Sequence, residues 1–292
     1  MLWILLTALA APLQVARNAL QRGLVGDAGP WGATLVRFLF GLPFSLAMFG
    51  AMAAFSQGAS PAVSAGYFAA AAVGGLAQMG ATAALLVAMR RSGFAVATAL
   101  QQSSLPFAAL LGAMMGDALS GAAWGGVALA TAGLGVLTWP RRGAGEGRLA
   151  GALLGLASGF AFAIALNAYR RAGVLLEPEH PIYAALATVC LVQAFQTILL
   201  AGLLAAFRPS ALVAVLAAWR QSLGAGFCGS AASACWFAAL ALAPAAPVRA
   251  VGVIEMPIAA AAGRRLFKER LSLVQIAAGA VTAAGVVLTA LG

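Results

Sequence analysis

Apolar residues run through this 292-residue chain in long stretches, broken at short intervals by small groups of polar, charged or turn-forming residues. A helix needs about 20 mainly apolar residues to cross the hydrocarbon of a bilayer. Ten segments reach that length, at residues 2–20, 31–54, 66–89, 93–115, 120–139, 149–171, 181–207, 221–242, 247–266 and 271–291. The breaks carry turn and charge signals, among them Gly26-Asp27-Ala28-Gly29-Pro30, Arg90-Arg91-Ser92-Gly93, Arg141-Arg142-Gly143 and Pro244-Ala245-Ala246-Pro247. No segment alternates apolar and polar residues with period two, so membrane strands are not indicated. The pattern predicts an all-α membrane protein of ten transmembrane helices.

The same pattern repeats. Pro106 leads through Asp117-Ala118-Leu119-Ser120 to Gly133 and Val136, and Pro257 leads through Glu269-Arg270-Leu271-Ser272 to Gly285 and Leu288. A second echo links Asn18-Ala19-Leu20-Gln21-Arg22 to Asn167-Ala168-Tyr169-Arg170-Arg171. Such self-similarity in an apolar chain points to two duplicated halves. The polar stretch from Arg141 to Arg148 is their natural joint, which gives repeats at 1–140 and 148–292. Five spans per half is an odd number, so the copies must enter the membrane in opposite directions. Charge agrees: the loop after the fourth span carries only Asp117, and its counterpart after the ninth carries Arg264, Arg265, Lys268 and Arg270. The expectation is two inverted five-helix repeats.

Composition places the chain in lipid. Hydrophobic residues make up 63% of it and charged ones 8%, against roughly 25% charged in soluble domains. A net charge of +10 could suggest nucleic acid, but the basic residues sit in ones and twos between apolar runs, with no aromatic-rich basic patch. Loops after odd-numbered spans hold thirteen Arg or Lys (17, 22, 90, 91, 141, 142, 148, 208, 220, 264, 265, 268 and 270), and loops after even-numbered spans hold two, Arg170 and Arg171. By the positive-inside rule the odd loops are cytoplasmic and both termini face outward. No basic residue precedes Leu2, so the first apolar run reads as a membrane helix rather than a signal peptide. Arg in place of Lys almost throughout, with abundant Ala and Gly, reads as GC-rich bacterial coding, and the expected location is the bacterial inner membrane. Cys190, Cys228 and Cys235 lie inside apolar segments with no CxxC spacing, and His180 is the one histidine. No metal site or cofactor is therefore expected. No nucleotide cradle or catalytic triad is present, so neither ATP hydrolysis nor another enzyme activity is indicated.

The run Phe267-Lys268-Glu269-Arg270-Leu271-Ser272, followed by Gln275-Ile276, Gly279 and Gly285-Val286 and preceded by Pro257, resembles the C-terminal part of an EamA-type domain of the drug/metabolite transporter superfamily. The first-half copy resembles it more weakly, with Gly116-Asp117 where that pattern more often has Glu. The resemblance covers essentially the whole chain. It implies a ten-helix secondary transporter exporting amino acids or similar metabolites. It also implies cytoplasmic termini, opposite to the charge count.

Candidate residues are those polar groups that the pattern places in hydrocarbon. Glu255 stands mid-span just before Met256-Pro257, where a charge costs at least about 2.5 kcal/mol. It reads as a proton carrier or substrate ligand, or as a structural carboxyl paired with an arginine. The proline would loosen the preceding turn and free carbonyls for a ligand. Ser104 is its repeat equivalent, within Gln101-Gln102-Ser103-Ser104-Leu105-Pro106. Gln101, Gln102 and Ser104 could line the same cavity or join helices. Arg37 could bind an anionic group, pair with Glu255, or snorkel to headgroups. Arg249 reads as an interfacial anchor or as a ligand. Asn18 and Asn167 are repeat equivalents, either site-lining or capping. Gln14 follows Pro12, which could kink the first span toward a cavity. Trp236, beside Phe237, could stack on a ligand or pack the core. Gly151, Gly155 and Gly159 form a close-packing face. Gly126, Gly133, Gly279 and Gly285 fit either contact between the halves or a homodimer. The functional expectation is a proton-coupled exporter of a small metabolite working by alternating access. A flippase for a lipid or lipid-linked carrier, and a non-transporting membrane scaffold or partner subunit, are the rival readings.

Overall fold

The computed structural model describes residues 1–114, 120–138, 146–243 and 245–291. Asp117, Trp139, Arg141, Arg142 and Pro244 lie outside the described residues. The described chain is all helical: α1 (Leu2–Leu39), α2 (Leu42–Phe55), α3 (Ala65–Ser92), α4 (Phe94–Gln101), α5 (Ser104–Met114), α6 (Gly121–Thr138), α7 (Glu146–Leu176), α8 (Pro181–Phe207), α9 (Pro209–Ala217), α10 (Trp219–Leu242), α11 (Ala245–Gly252), α12 (Glu255–Phe267) and α13 (Leu273–Leu291). Five helical stretches are long and apolar enough to cross a membrane, and shorter apolar helices accompany them.

Continuous helical structure over α1 conceals a reversal. Gly29 takes φ 68° and ψ 176°, a backbone closed to most L side chains, and Pro30 follows. Gln21 Nε2 nevertheless donates to Ala33 O at 2.7 Å. Twelve residues of straight helix would separate them by about 18 Å, so α1 folds back into two arms at Gly29. The first two expected spans are those arms, the second continued by α2 after a break at Phe40–Gly41. The first arm runs past residue 20, and that corrects one expectation. Arg17, counted as a loop charge, is 1% exposed within α1. The loop count falls from thirteen to twelve against two.

The chain forms two compact units. The first comprises Met1–Met79 and Ile164–Pro244, and the second Gly80–Ala163 and Ala245–Gly292. The chain passes from one to the other within α3, within α7 and again between α10 and α11.

In the second unit, α6 and α13 meet through glycines. A Cβ on Gly126 would collide with Thr289 N, one on Gly133 with Thr282 Oγ1, and one on Gly285 with Ala130 N. These glycines serve contact within the chain. Gly151, Gly155 and Gly159 of α7 lie against Arg91–Ser92, Leu100 and Ser103 respectively. The start of α4 is held by Glu269, whose carboxylate accepts from Phe94 N at 2.9 Å and Ala95 N at 3.3 Å. A carboxylate on exposed N–H groups at a helix start is the favourable placement.

Large apolar side chains are exposed while several polar ones are deeply buried. Leu5, Phe55, Ile198, Phe207, Leu266 and Leu273 are more than 60% exposed, and Arg17, Gln21, Gln102, Gln196 and Glu255 are among the most buried side chains. The buried polar groups are the informative part, because such residues are mostly exposed in soluble proteins.

Candidate functional site

In the second unit, two helix breaks bring the polar residues together. The fourth expected span divides into α4 and α5 around Gln102–Ser103, and the ninth into α11 and α12 around Val253–Ile254. Each break lies just before a proline, Pro106 and Pro257, which cannot donate to the carbonyl four residues earlier. Those carbonyls are not left open. Gln102 O accepts from Leu105 N at 3.2 Å, and Val253 O from Met256 N at 2.9 Å. The expectation that Pro257 frees carbonyls for a ligand is therefore corrected at Val253 O, and Gln102 O before Pro106 behaves alike: tighter i to i+3 bonds recapture both. What the breaks provide is side-chain direction.

Gln102 is the centre of the resulting network. Its Nε2 donates to Glu255 Oε2 at 3.1 Å, and its Oε1 accepts from Arg249 Nη2 at 2.9 Å. Arg249 Nη2 also donates to Ser104 Oγ at 2.9 Å, and Arg249 interacts electrostatically with Glu255. Glu255 and Ser104 are 0% exposed, Gln102 1% and Arg249 5%. Arg249 is thus not an interfacial anchor: its guanidinium joins the acid, the amide and the hydroxyl. Gln101 is equally buried, and its Oε1 makes no hydrogen bond among the described residues.

The first unit holds a second polar centre, built between the two arms of α1, α10, and the adjacent parts of α3, α7 and α8. Arg17 Nε and Nη2 donate to Asn18 Oδ1 at 3.1 and 2.6 Å. Arg37 Nη2 donates to Ser233 Oγ at 3.1 Å, so the guanidinium turns inward instead of snorkelling. Trp236 Nε1 donates to Gln14 Oε1 at 3.0 Å, which ties the indole to α1. Tyr169 Oη and Gln196 Nε2 both donate to Gln78 Oε1, each at 2.9 Å. The Tyr169 ring packs on Phe237 at 4.5 Å and against Gly74. Gln193 and Ser230 exchange hydrogen bonds, and Ser230 Oγ donates to Gly41 O at 2.8 Å, beside the break between α1 and α2.

A cavity of about 320 Å³ opens in this unit, with Tyr169, Phe237, Arg170 and Glu177 in its wall. Glu177 accepts from Ser60 N at 2.7 Å and Glu179 N at 3.2 Å, joining the loop after α2 to the loop after α7.

The structure therefore brings Gln102, Ser104 and Glu255 into one network, with Gln101 beside them, and buries Gln14, Asn18, Arg37 and Trp236 in the first unit, each but Asn18 bonded across to another helix and Asn18 to its neighbour Arg17. Asn167 is exposed on α7, although Asn18, its expected repeat equivalent, is 1% exposed. Sequence reasoning missed Arg17, Gln78, Tyr169, Gln193 and Gln196. Three of them are glutamines in mid-span without a nearby proline, and a scan for every mid-span amide would have found those. Among the described residues no group of three or more His, Cys, Asp and Glu converges on a point where a metal could sit.

No family model matches the chain, and no curated protein matches it. A solved structure described as the crystal structure of a protein aligns with 98% of this chain and 94% of its own, with TM-score 0.56 and 19% identity. At that identity the likeness concerns the fold alone, and it extends over nearly the full length.

Proposed function

We propose that the chain is a bacterial inner-membrane secondary transporter of a small metabolite such as an amino acid. In this reading it is built as ten transmembrane helices in two inverted EamA-type repeats, works by alternating access, and is coupled to protons through Glu255. The observation that carries the reading is the network of Glu255, Gln102, Arg249 and Ser104, fully buried at two helix breaks in an otherwise lipophilic chain. An intramembrane ionisable group is costly. A purely structural bundle gains little from one, because buried ion pairs are often replaceable by apolar side chains without loss. Substrate and ion sites of secondary transporters lie at such interrupted helices. The loop bias of twelve against two supports outward-facing termini under the positive-inside rule.

The chemistry of coupling follows from the donor inventory. An ionised Glu255 accepts from Gln102. A protonated one becomes a donor and has one acceptor position fewer for Gln102 and Arg249. Proton uptake would thus loosen the link between the two breaks and bias them toward a second arrangement.

The test uses proteoliposomes loaded with the pH dye pyranine and challenged with L-amino acids, short mono- and dicarboxylates, and inorganic phosphate. The wild-type chain is expected to move protons with at least one compound. The Glu255→Gln variant is expected to lose that proton movement. Equal dye responses in both proteins would reject proton coupling through Glu255.

A further inference from the structure

We infer that the cavity between the ends of α7 and α10 and the start of α8 binds a primary ammonium group carried on a small apolar or aromatic body. The site lies in the first unit and does not rest on the transporter reading. Its aromatic part is set in from the helix ends. α7 runs on for seven residues beyond Tyr169, to Leu176, and α10 for five beyond Phe237, to Leu242. Those runs are about 8–10 Å of helix. The two rings touch, with centroids 4.5 Å apart, and both residues are buried. Tyr169 is fixed by its hydroxyl, which donates to Gln78 Oε1 at 2.9 Å. Aromatic side chains take apolar groups and attract cations alike.

Nearer the helix ends the wall is rich in acceptors. Two are backbone carbonyls that lose their helical donors to proline. Val174 O would take its bond from residue 178 and Leu240 O from residue 244, and both positions are proline, which has no N–H. The donors one residue earlier are engaged elsewhere: Glu177 N donates to Gly173 O at 3.2 Å, and Ala243 N to Ala239 O at 3.0 Å. Unlike Gln102 O and Val253 O, these carbonyls are recaptured by no shorter bond among the described residues. The third acceptor is the Glu177 carboxylate, 5% exposed. It accepts from Ser60 N and Glu179 N, which uses two of about four lone-pair positions. His180 Nδ1 stands 3.8 Å from its Oε1, beyond hydrogen-bond reach. The two helix C-termini add partial negative charge.

A primary ammonium brings one positive charge and three N–H donors to such a wall. Arg170 is the only basic residue among the described ones that line it, and it is exposed. Water and salt screen an exposed charge far more than the buried Glu177. The wall therefore favours a cation over an anion. A volume of about 320 Å³ is at the small end of small-molecule sites and suits a compact amine.

Binding is read on the detergent-purified full chain by thermal midpoint and calorimetry, with probes that share one ring: phenethylamine, its N,N,N-trimethyl derivative, 2-phenylethanol and phenylacetate. Phenethylamine is expected to stabilise the protein saturably. The trimethyl derivative keeps the charge and loses the N–H donors, so it is expected to bind about tenfold more weakly or worse. The alcohol and the acid are expected to show no saturable effect. Glu177→Gln is expected to weaken phenethylamine binding by about tenfold or more. Ala241→Trp changes an exposed position of the wall, so it should fold and block the cavity even if the glutamate variant does not fold. Arg220→Gln, away from the cavity, should bind as wild type. No saturable amine effect, an alcohol as effective as the amine, or full binding in Ala241→Trp overturns the site. L-Phenylalanine is the zwitterionic arm: binding tighter than that of phenethylamine, and lost in Arg170→Gln, overturns the ammonium class. Lipid head groups also carry primary ammonium, so the titration is repeated in phosphatidylcholine nanodiscs with and without phosphatidylethanolamine. Equal phenethylamine affinity in the two is expected for a free amine. A loss of about tenfold or more with phosphatidylethanolamine would give the site to the lipid and overturn that assignment.

Discussion

Gln102 holds opposite charges with one amide, its nitrogen on Glu255 and its oxygen on Arg249. Replacing it by Leu removes a donor from a buried carboxylate and an acceptor from a buried guanidinium, a loss of about 1–3 kcal/mol for each group left short. The Gln102→Leu protein is expected to show a thermal midpoint in detergent several degrees below wild type, and an unchanged midpoint would show that the amide is not a structural bridge. Glu255, Gln102 and Ser104 were legible in the sequence because a polar residue just before a mid-span proline is conspicuous. Arg249 was left between anchor and ligand, and Arg17 was misread as a loop charge, for a different reason. Sequence gives a charge's distance from the end of an apolar run but not where the helix really ends. The first arm of α1 continues past residue 20, and that moves Arg17 from a loop into the interior. Asn167 shows the converse limit. Repeat equivalence to Asn18 says nothing of which way a residue faces on its own helix, and Asn167 is exposed.

Among the elements, the glycine contacts of α6 and α13 give the sharpest comparison. A Cβ at Gly126 would collide with the backbone of α13, and one at Gly125 would meet only Leu288 Cδ2 at 3.9 Å. Gly126→Val should therefore destabilise the protein by about 1–3 kcal/mol or more through forced separation of the helices, and its neighbour Gly125→Val should leave the thermal midpoint within a degree or two. Equal midpoints in the two variants would contradict the packing. The cap of α4 by Glu269 makes a second claim: Glu269→Ala should lose about 0.5–2 kcal/mol, as N-cap truncations do. A limited-proteolysis cut near Gly93, faster than in wild type, would accompany it. Helix existence was legible here because apolar length and turn residues decide it. The breaks were announced by Pro106 and Pro257, but their division of the fourth and ninth spans into four short helices was not. Neither was α9, whose Val215 packs near Gly32. That small helix has too few apolar residues to register against a span-length criterion.

On the scale of the whole molecule, sequence repeats and compact units divide the chain differently. The expected repeats run consecutively, whereas each unit takes segments from before and after the Arg141–Arg148 stretch. Pattern can suggest the first because a duplication would leave residues at matching spacing. It cannot reveal the second, which depends on which helices pack. The topology reading is checked by fusions after Gly292: an active alkaline phosphatase and a dark green fluorescent protein are expected for an outward terminus, and the reverse pair would restore the inward termini that the family resemblance implies. The central claim, alternating access to a small metabolite, is met most directly by counterflow. Proteoliposomes preloaded with an excess of one unlabelled compound from the amino-acid, carboxylate and phosphate panel are diluted into a trace of the same compound carrying label. The account predicts that for at least one compound the label rises transiently above its equilibrium level inside and then declines. Entry no faster than in protein-free liposomes, or equilibration without overshoot, for every compound in the panel would contradict it.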